Sequence, residues 1–161
     1  MTGNRTTWLH QHDYLGLELD WLAVDADGSL GFFSSAGRGA VPSTCLPTCS
    51  ELHAVTSIVE TLPVVSEVEV LVSKYGEHQS SGRPASALDW LEVARRGIWA
   101  FDYDLNSRVG GYRQVVRPHE PLPLAALEAD AVLQLARSVR LTLRLASVEW
   151  LLPGDDAVFQ S

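Results

Sequence analysis

"WLAVDADGSLGFFSSAGRGAVP", Trp21 to Pro42, sets the first firm element of this chain. Residues 19–24 and 29–34 are rich in β-branched, aromatic and aliphatic side chains, the kinds that pack well on a pleated surface. Between them lies Asp25-Ala26-Asp27-Gly28. A short polar linker ending in Gly supplies the φ > 0 residue that a tight turn requires, so the stretch predicts a β-hairpin. The same four residues also look like the start of a calcium loop. An EF-hand loop needs Gly at its sixth position and a bidentate Glu at its twelfth. Counted from Asp25 those positions hold Leu30 and Ala36, and counted from Asp27 the twelfth is Arg38, so the ligand set does not close. Gly37-Arg38-Gly39 looks like a fragment of a phosphate cradle. It lacks the Lys-Ser/Thr of a P-loop and the third Gly of a dinucleotide turn. Its simpler purpose is to let the chain leave the sheet toward Pro42.

Working outward, the chain of 161 residues suits one domain with a sizeable core. No apolar run approaches the roughly 20 residues needed to cross a bilayer. The N-terminal residues Met1 to Thr7 are polar, without an apolar segment behind them, so the expected location is the cytoplasm. Cys45 and Cys49 are too few for a disulfide framework, and their spacing is not that of a zinc or thioredoxin motif. The net charge of −8 is uneven. Residues 1–70 hold nine acids against Arg5 and Arg38, which is −7. An acidic half disfavours nucleic acid and anionic membranes as partners and suits a basic protein.

After Pro42 a helix is expected over 48–62, ended by Pro63. Residues 64–75 can be read two ways. Val64, Val65, Val68, Leu71, Val72 and Tyr75 fit one helical face, while their β-branched side chains prefer strands. The helical spacing favours helix. A polar loop then leads to a helix over 86–96, with Gly97 behind it. Residues 98–103 and 111–116 predict a second hairpin around Asp104-Leu105-Asn106-Ser107. A proline connector, a short helix or pair of turns over 124–136 and an alternating strand over 140–145 follow. Strands joined mostly by hairpins, with helices in blocks, predict an α+β fold: an antiparallel sheet of five or six strands with helices packed on one face.

No motif carries recognisable chemistry. His10-Gln11-His12-Asp13 offers metal ligands only if it is a strand, and no further ligands stand at fixed spacing. Asp102 and Asp104 could act as paired carboxylates, but a solvated turn explains them more simply. There is no Gly-x-Ser-x-Gly elbow, and His119-Glu120 lies in the proline connector, where a catalytic group is poorly held. Of the five tryptophans, Trp21, Trp90, Trp99 and Trp150 are expected in the core, with Trp8 exposed or pinning the N-terminal segment. No metal and no cofactor is implied.

Three stretches carry a resemblance: "DWLAVDADGSLGFFSSAGRGAVP", "WLEVARRGIWAFDYD" and "GGYRQVVRPHEPLPLAAL". Through Trp21, Asp25, Gly28, Gly37, Gly39, Pro42, Ala94, Gly97, Asp102, Tyr112 and Pro118 the chain resembles a family of small bacterial proteins associated with immunity to toxins. Residues 64–86 have no part in it. The resemblance implies a protein that acts by binding another protein, without chemistry of its own. The alternatives are an enzyme with an unrecognised site, or a structural or regulatory protein. For a basic partner, the candidate contact residues are Asp20, Asp25, Asp27, Glu51, Glu67 and Glu69.

Overall fold

A computed structural model of the chain describes residues 7–14, 17–45, 54–72, 89–108, 110–122, 139–153 and 157–158. The strands are β1 (Trp8–Leu9), β2 (Asp20–Val24), β3 (Leu30–Ser34), β4 (Val41–Pro42), β5 (Val68–Val70), β6 (Trp99–Tyr103), β7 (Tyr112–Pro118), β8 (Arg140–Leu141), β9 (Trp150–Leu151) and β10 (Ala157–Val158). The α-helices among the described residues are α1 (Ala54–Glu60) and α2 (Trp90–Arg95). The architecture is mixed α and β, mostly sheet with short helices.

The main sheet runs β10-β8-β2-β3-β6-β7-β5, with β9 attached to β7 as an eighth strand. β1 and β4 form a small sheet of their own. The sheet is mixed, which corrects the antiparallel expectation of five or six strands. Both predicted hairpins are present, β2–β3 and β6–β7. They join through β3 and β6, which run parallel. Parallel neighbours need a long crossover, and the stretch holding α1, β5 and α2 provides it. β8 lies parallel to β2 through a single pair, Val24 with Arg140.

Alternation along the strands divides the core in two. Trp21, Phe33 and Phe101 stand in register on one face and stack at 4.1 and 4.8 Å between ring centres. Tyr112 meets the first two edge-on, the geometry that ring quadrupoles favour. Trp8 packs edge-to-face on Trp21 and so pins β1 to this cluster. Leu22, Phe32, Ala100 and Val116 point to the opposite face, against Val55, Val59, Leu91, Val93 and Ala94 of the helices.

α2 is capped as its sequence allows. Asp89 Oδ1 accepts the Glu92 N–H at 2.8 Å. Glu92 then meets Arg95 and Arg96 at 2.6 and 3.0 Å. Burial works to raise its carboxyl pKa, but the two guanidiniums outweigh that and hold it below the usual range.

Two further expectations change. Residues 64–75 are not helical where described: Val68–Val70 is a strand paired with Val116–Pro118. Their helical spacing lost to β-branched side chains and to the open edge of β7. The alternating stretch 140–145 is a strand only at Arg140–Leu141, then turns into a 3-10 helix at Leu145–Ser147. Leu141 and Leu145 still face inward. The short helix or pair of turns expected over 124–136 lies outside the described residues.

Candidate functional site

The hairpin turn binds its own chain. Asp25 is 7% exposed. Its Oδ1 accepts the N–H groups of Asp27 and Ser29 at 2.9 and 2.8 Å, and its Oδ2 accepts that of Leu145 at 2.9 Å. Gly28 takes φ +80°, the conformation the turn demanded of it. A carboxylate so placed has little surface to offer a partner. Asp27 stands out in solvent and meets Arg144 at 3.2 Å.

The Gly37-Arg38-Gly39 loop likewise closes on itself. Arg38 N–H and Gly39 N–H donate to the Ser35 carbonyl at 3.0 and 2.8 Å, and Gly37 N–H donates to Ser35 Oγ at 3.3 Å. Amides already donated in this way cannot cradle a phosphate. A Cβ on Gly39 would stand 2.7 Å from both a Tyr103 ring carbon and the Tyr112 hydroxyl oxygen. The Tyr14 hydroxyl donates to the Gly39 carbonyl, and the Tyr112 hydroxyl donates to that of Ala40 at 2.7 Å. Trp21 Nε1 donates to the Tyr112 oxygen at 3.2 Å. Burial pushes both phenols up, Tyr112 well above the ordinary range and Tyr14 less so.

Strand register assembles a polar row that sequence spacing does not reveal: Asp20, Ser34, Asp102 and Arg113 lie side by side on β2, β3, β6 and β7. The Ser34 hydroxyl is 3% exposed and donates to Glu18 Oε1 at 3.5 Å, so it is no accessible nucleophile. Asp104 is a turn residue whose Oδ1 accepts the N–H groups of Asn106 and Ser107 at 2.9 and 3.1 Å.

Arg113 also borders a cleft of about 370 Å³ between β9 and the end of β5, with Leu71, Gln114, Arg117, Ser147, Val148 and Glu149. Gln114 Nε2 donates to the carbonyls of Leu145 and Val148 at 2.9 and 3.2 Å, which fixes one wall. Arg113 lies 5.5 Å over the Trp150 ring and 3.5 Å from Glu149, while its buried Nε has no hydrogen-bond partner. Arg117 Nε donates to Glu69 Oε2 at 2.7 Å.

His10 to Asp13 is not a strand; a 3-10 helix spans Gln11–Asp13, and Asp13 accepts the His10 N–H at 2.7 Å. Among the described residues no three ligands gather for a metal. Cys45 is a buried free thiol. Glu51 and Cys49 lie outside the described residues.

The candidate acids do not share one face. Asp20 and Asp27 belong to β2 and its turn, Glu67 and Glu69 to the edge at β5. β2 and β5 stand four strand spacings apart, about 19 Å. At β5 the acids adjoin an apolar surface: Val64, Val65, Val70 and Leu71 are 60, 40, 36 and 37% exposed. The sequence signal for this edge was the run of β-branched residues from Val64 to Val72. Compared with models of protein families, with curated proteins and with solved structures, the chain matches none.

Proposed function

We propose that this chain acts by binding another protein through the sheet edge at β5, and that the partner presents basic groups there. One observation carries the reading. Val70, on the last strand of the sheet order, is apolar and exposed to solvent, and so are Val64, Val65 and Leu71 in the chain on either side of that strand. A long-lived monomer guards such an edge, and an apolar patch rimmed by charge marks an interaction site. Glu67, Glu69 and Glu120 lie along it, with Glu69 bound to Arg117. Opposite charge on a partner would steer the encounter. An immunity protein that covers a basic toxin is the form of this reading that the resemblance implies. Among the described residues no helix is long and apolar enough to cross a membrane.

A photo-activatable side chain at Val65 tests the site, with the same probe at Leu105 as control. Leu105 is also exposed and apolar but lies in the β6–β7 turn. In extract of the native cell, Val65 should give a discrete cross-linked protein that Leu105 does not. Equal labelling from both positions would sink the site.

A further inference from the structure

We infer that β5 takes up an extended, basic segment of the partner as an added strand, a step that rests on β5 being the partner surface. The hydrogen-bond phase of β5 is set by its pairing with β7. The His119 N–H donates to the Glu67 carbonyl and the Leu71 N–H to that of Val115, at 2.9 Å each. Between them Glu69 stands opposite Arg117. Residues 67, 69 and 71 therefore direct their backbone groups to β7, and alternation turns the N–H and C=O of Val68 and Val70 outward. No described strand lies beyond them. An incoming strand finds two donors and two acceptors in phase, the elements of strand addition.

The side chains choose the occupant. Glu67 and Glu69 lie on one face of β5 with Arg117 opposite Glu69, and Val68 and Val70 lie on the other. A second copy of this chain is a poor fit. The two-fold register that uses both outward residues of each copy sets Glu69 directly against its equivalent. That is a non-hydrogen-bonded pair, where side chains approach most closely and like charges repel. A foreign strand with Lys or Arg opposite the glutamates and apolar residues opposite the valines satisfies both faces.

The test uses capped ten-residue peptides, one alternating Lys and Val and one alternating Glu and Val, with amide exchange followed by NMR on the full chain. The Lys–Val peptide, at up to about 1 mM, should slow exchange at the Val68 and Val70 amides by about tenfold or more. The Glu–Val peptide should not. N-methylation of alternate peptide amides should abolish the protection. Val70→Pro should also abolish it, since the Val70 N–H faces away from β7 and proline is tolerated at such an edge. Should that variant not fold, Glu69→Lys and the methylated peptide decide the matter, each weakening binding about tenfold or more. Strand addition is overturned by no binding at about 1 mM, by binding without protection at Val68 and Val70, by equal binding of both charged peptides, or by a dimer that Val70→Pro dissolves. A partner cross-linked at Val65 that leaves the Val68 and Val70 amides unprotected would retain the protein-binding reading and remove strand addition.

Discussion

The Asp25 carboxylate accepts the Leu145 backbone N–H at 2.9 Å across 120 residues of chain. The residue that shapes the β2–β3 turn also fastens the chain at Leu145 to it. Ala26 N–H adds a bond to the Leu143 carbonyl at 3.0 Å, and Arg144 closes over Asp27.

Replacing Asp25 with Ala should therefore lower stability by roughly 2–4 kcal/mol, because three N–H groups lose a charged acceptor and that of Leu145 is buried. Asp27→Asn should cost less than about 1 kcal/mol, as an exposed ion pair does. Urea unfolding of the two variants checks this. Equal losses would mean that the carboxylate does not hold Leu145.

Gly28→Val should cost about 1–2 kcal/mol. A Cβ at Gly28 meets nothing within 4 Å, so the loss would come from φ +80° alone. Gly28→Asn, which tolerates that conformation, should restore most of it. If Val and Asn were equally harmful, crowding and not backbone strain would be the cause.

The buried phenols predict an alkaline limit. Burial, only partly offset by the Trp21 hydrogen bond, raises Tyr112 above its unfolded value of about 10. Its contribution is complete below about pH 10 and is lost as pH rises through the folded value, because the unfolded chain ionises first. Tyr112→Phe should cost about 1–3 kcal/mol at neutral pH, leaving the Ala40 carbonyl and Trp21 Nε1 without this partner. It should also flatten the alkaline fall in melting temperature. A variant with the wild-type slope above pH 10 would contradict the assignment.

Local chemistry in the sequence reached as far as local structure did. The hairpins were legible because Asp25 to Gly28 and Asp104 to Ser107 carry their turns in neighbouring residues. α2 was legible from its periodicity and from Gly97 behind it. The parallel pairing of β3 with β6 was not, since nothing in Gly31 to Ser34 names Trp99 to Asp102 as its neighbour. The row Asp20–Ser34–Asp102–Arg113 depends on that pairing and was equally hidden. β5 was misread because Val64 to Val72 satisfies helical and strand patterns together, and only the free edge of β7 decides between them. The sequence offers Asp25 as a contact residue because its bond to Leu145 is concealed by sequence distance.

The partner surface at β5 is tested most directly by comparing two charge reversals of equal size, Glu67→Lys and Asp27→Lys. Both acids are exposed, and they lie on opposite parts of the sheet, beyond the Debye length of about 8 Å at physiological salt. The measurement is the association rate with the protein cross-linked at Val65, by surface plasmon resonance at low and high salt. Glu67→Lys should slow association by about tenfold at low salt, with the gap closing at high salt, while Asp27→Lys stays near wild type. Equal slowing by both reversals would make overall charge the cause, and wild-type rates for Glu67→Lys at every salt concentration would remove β5 as the surface the partner meets.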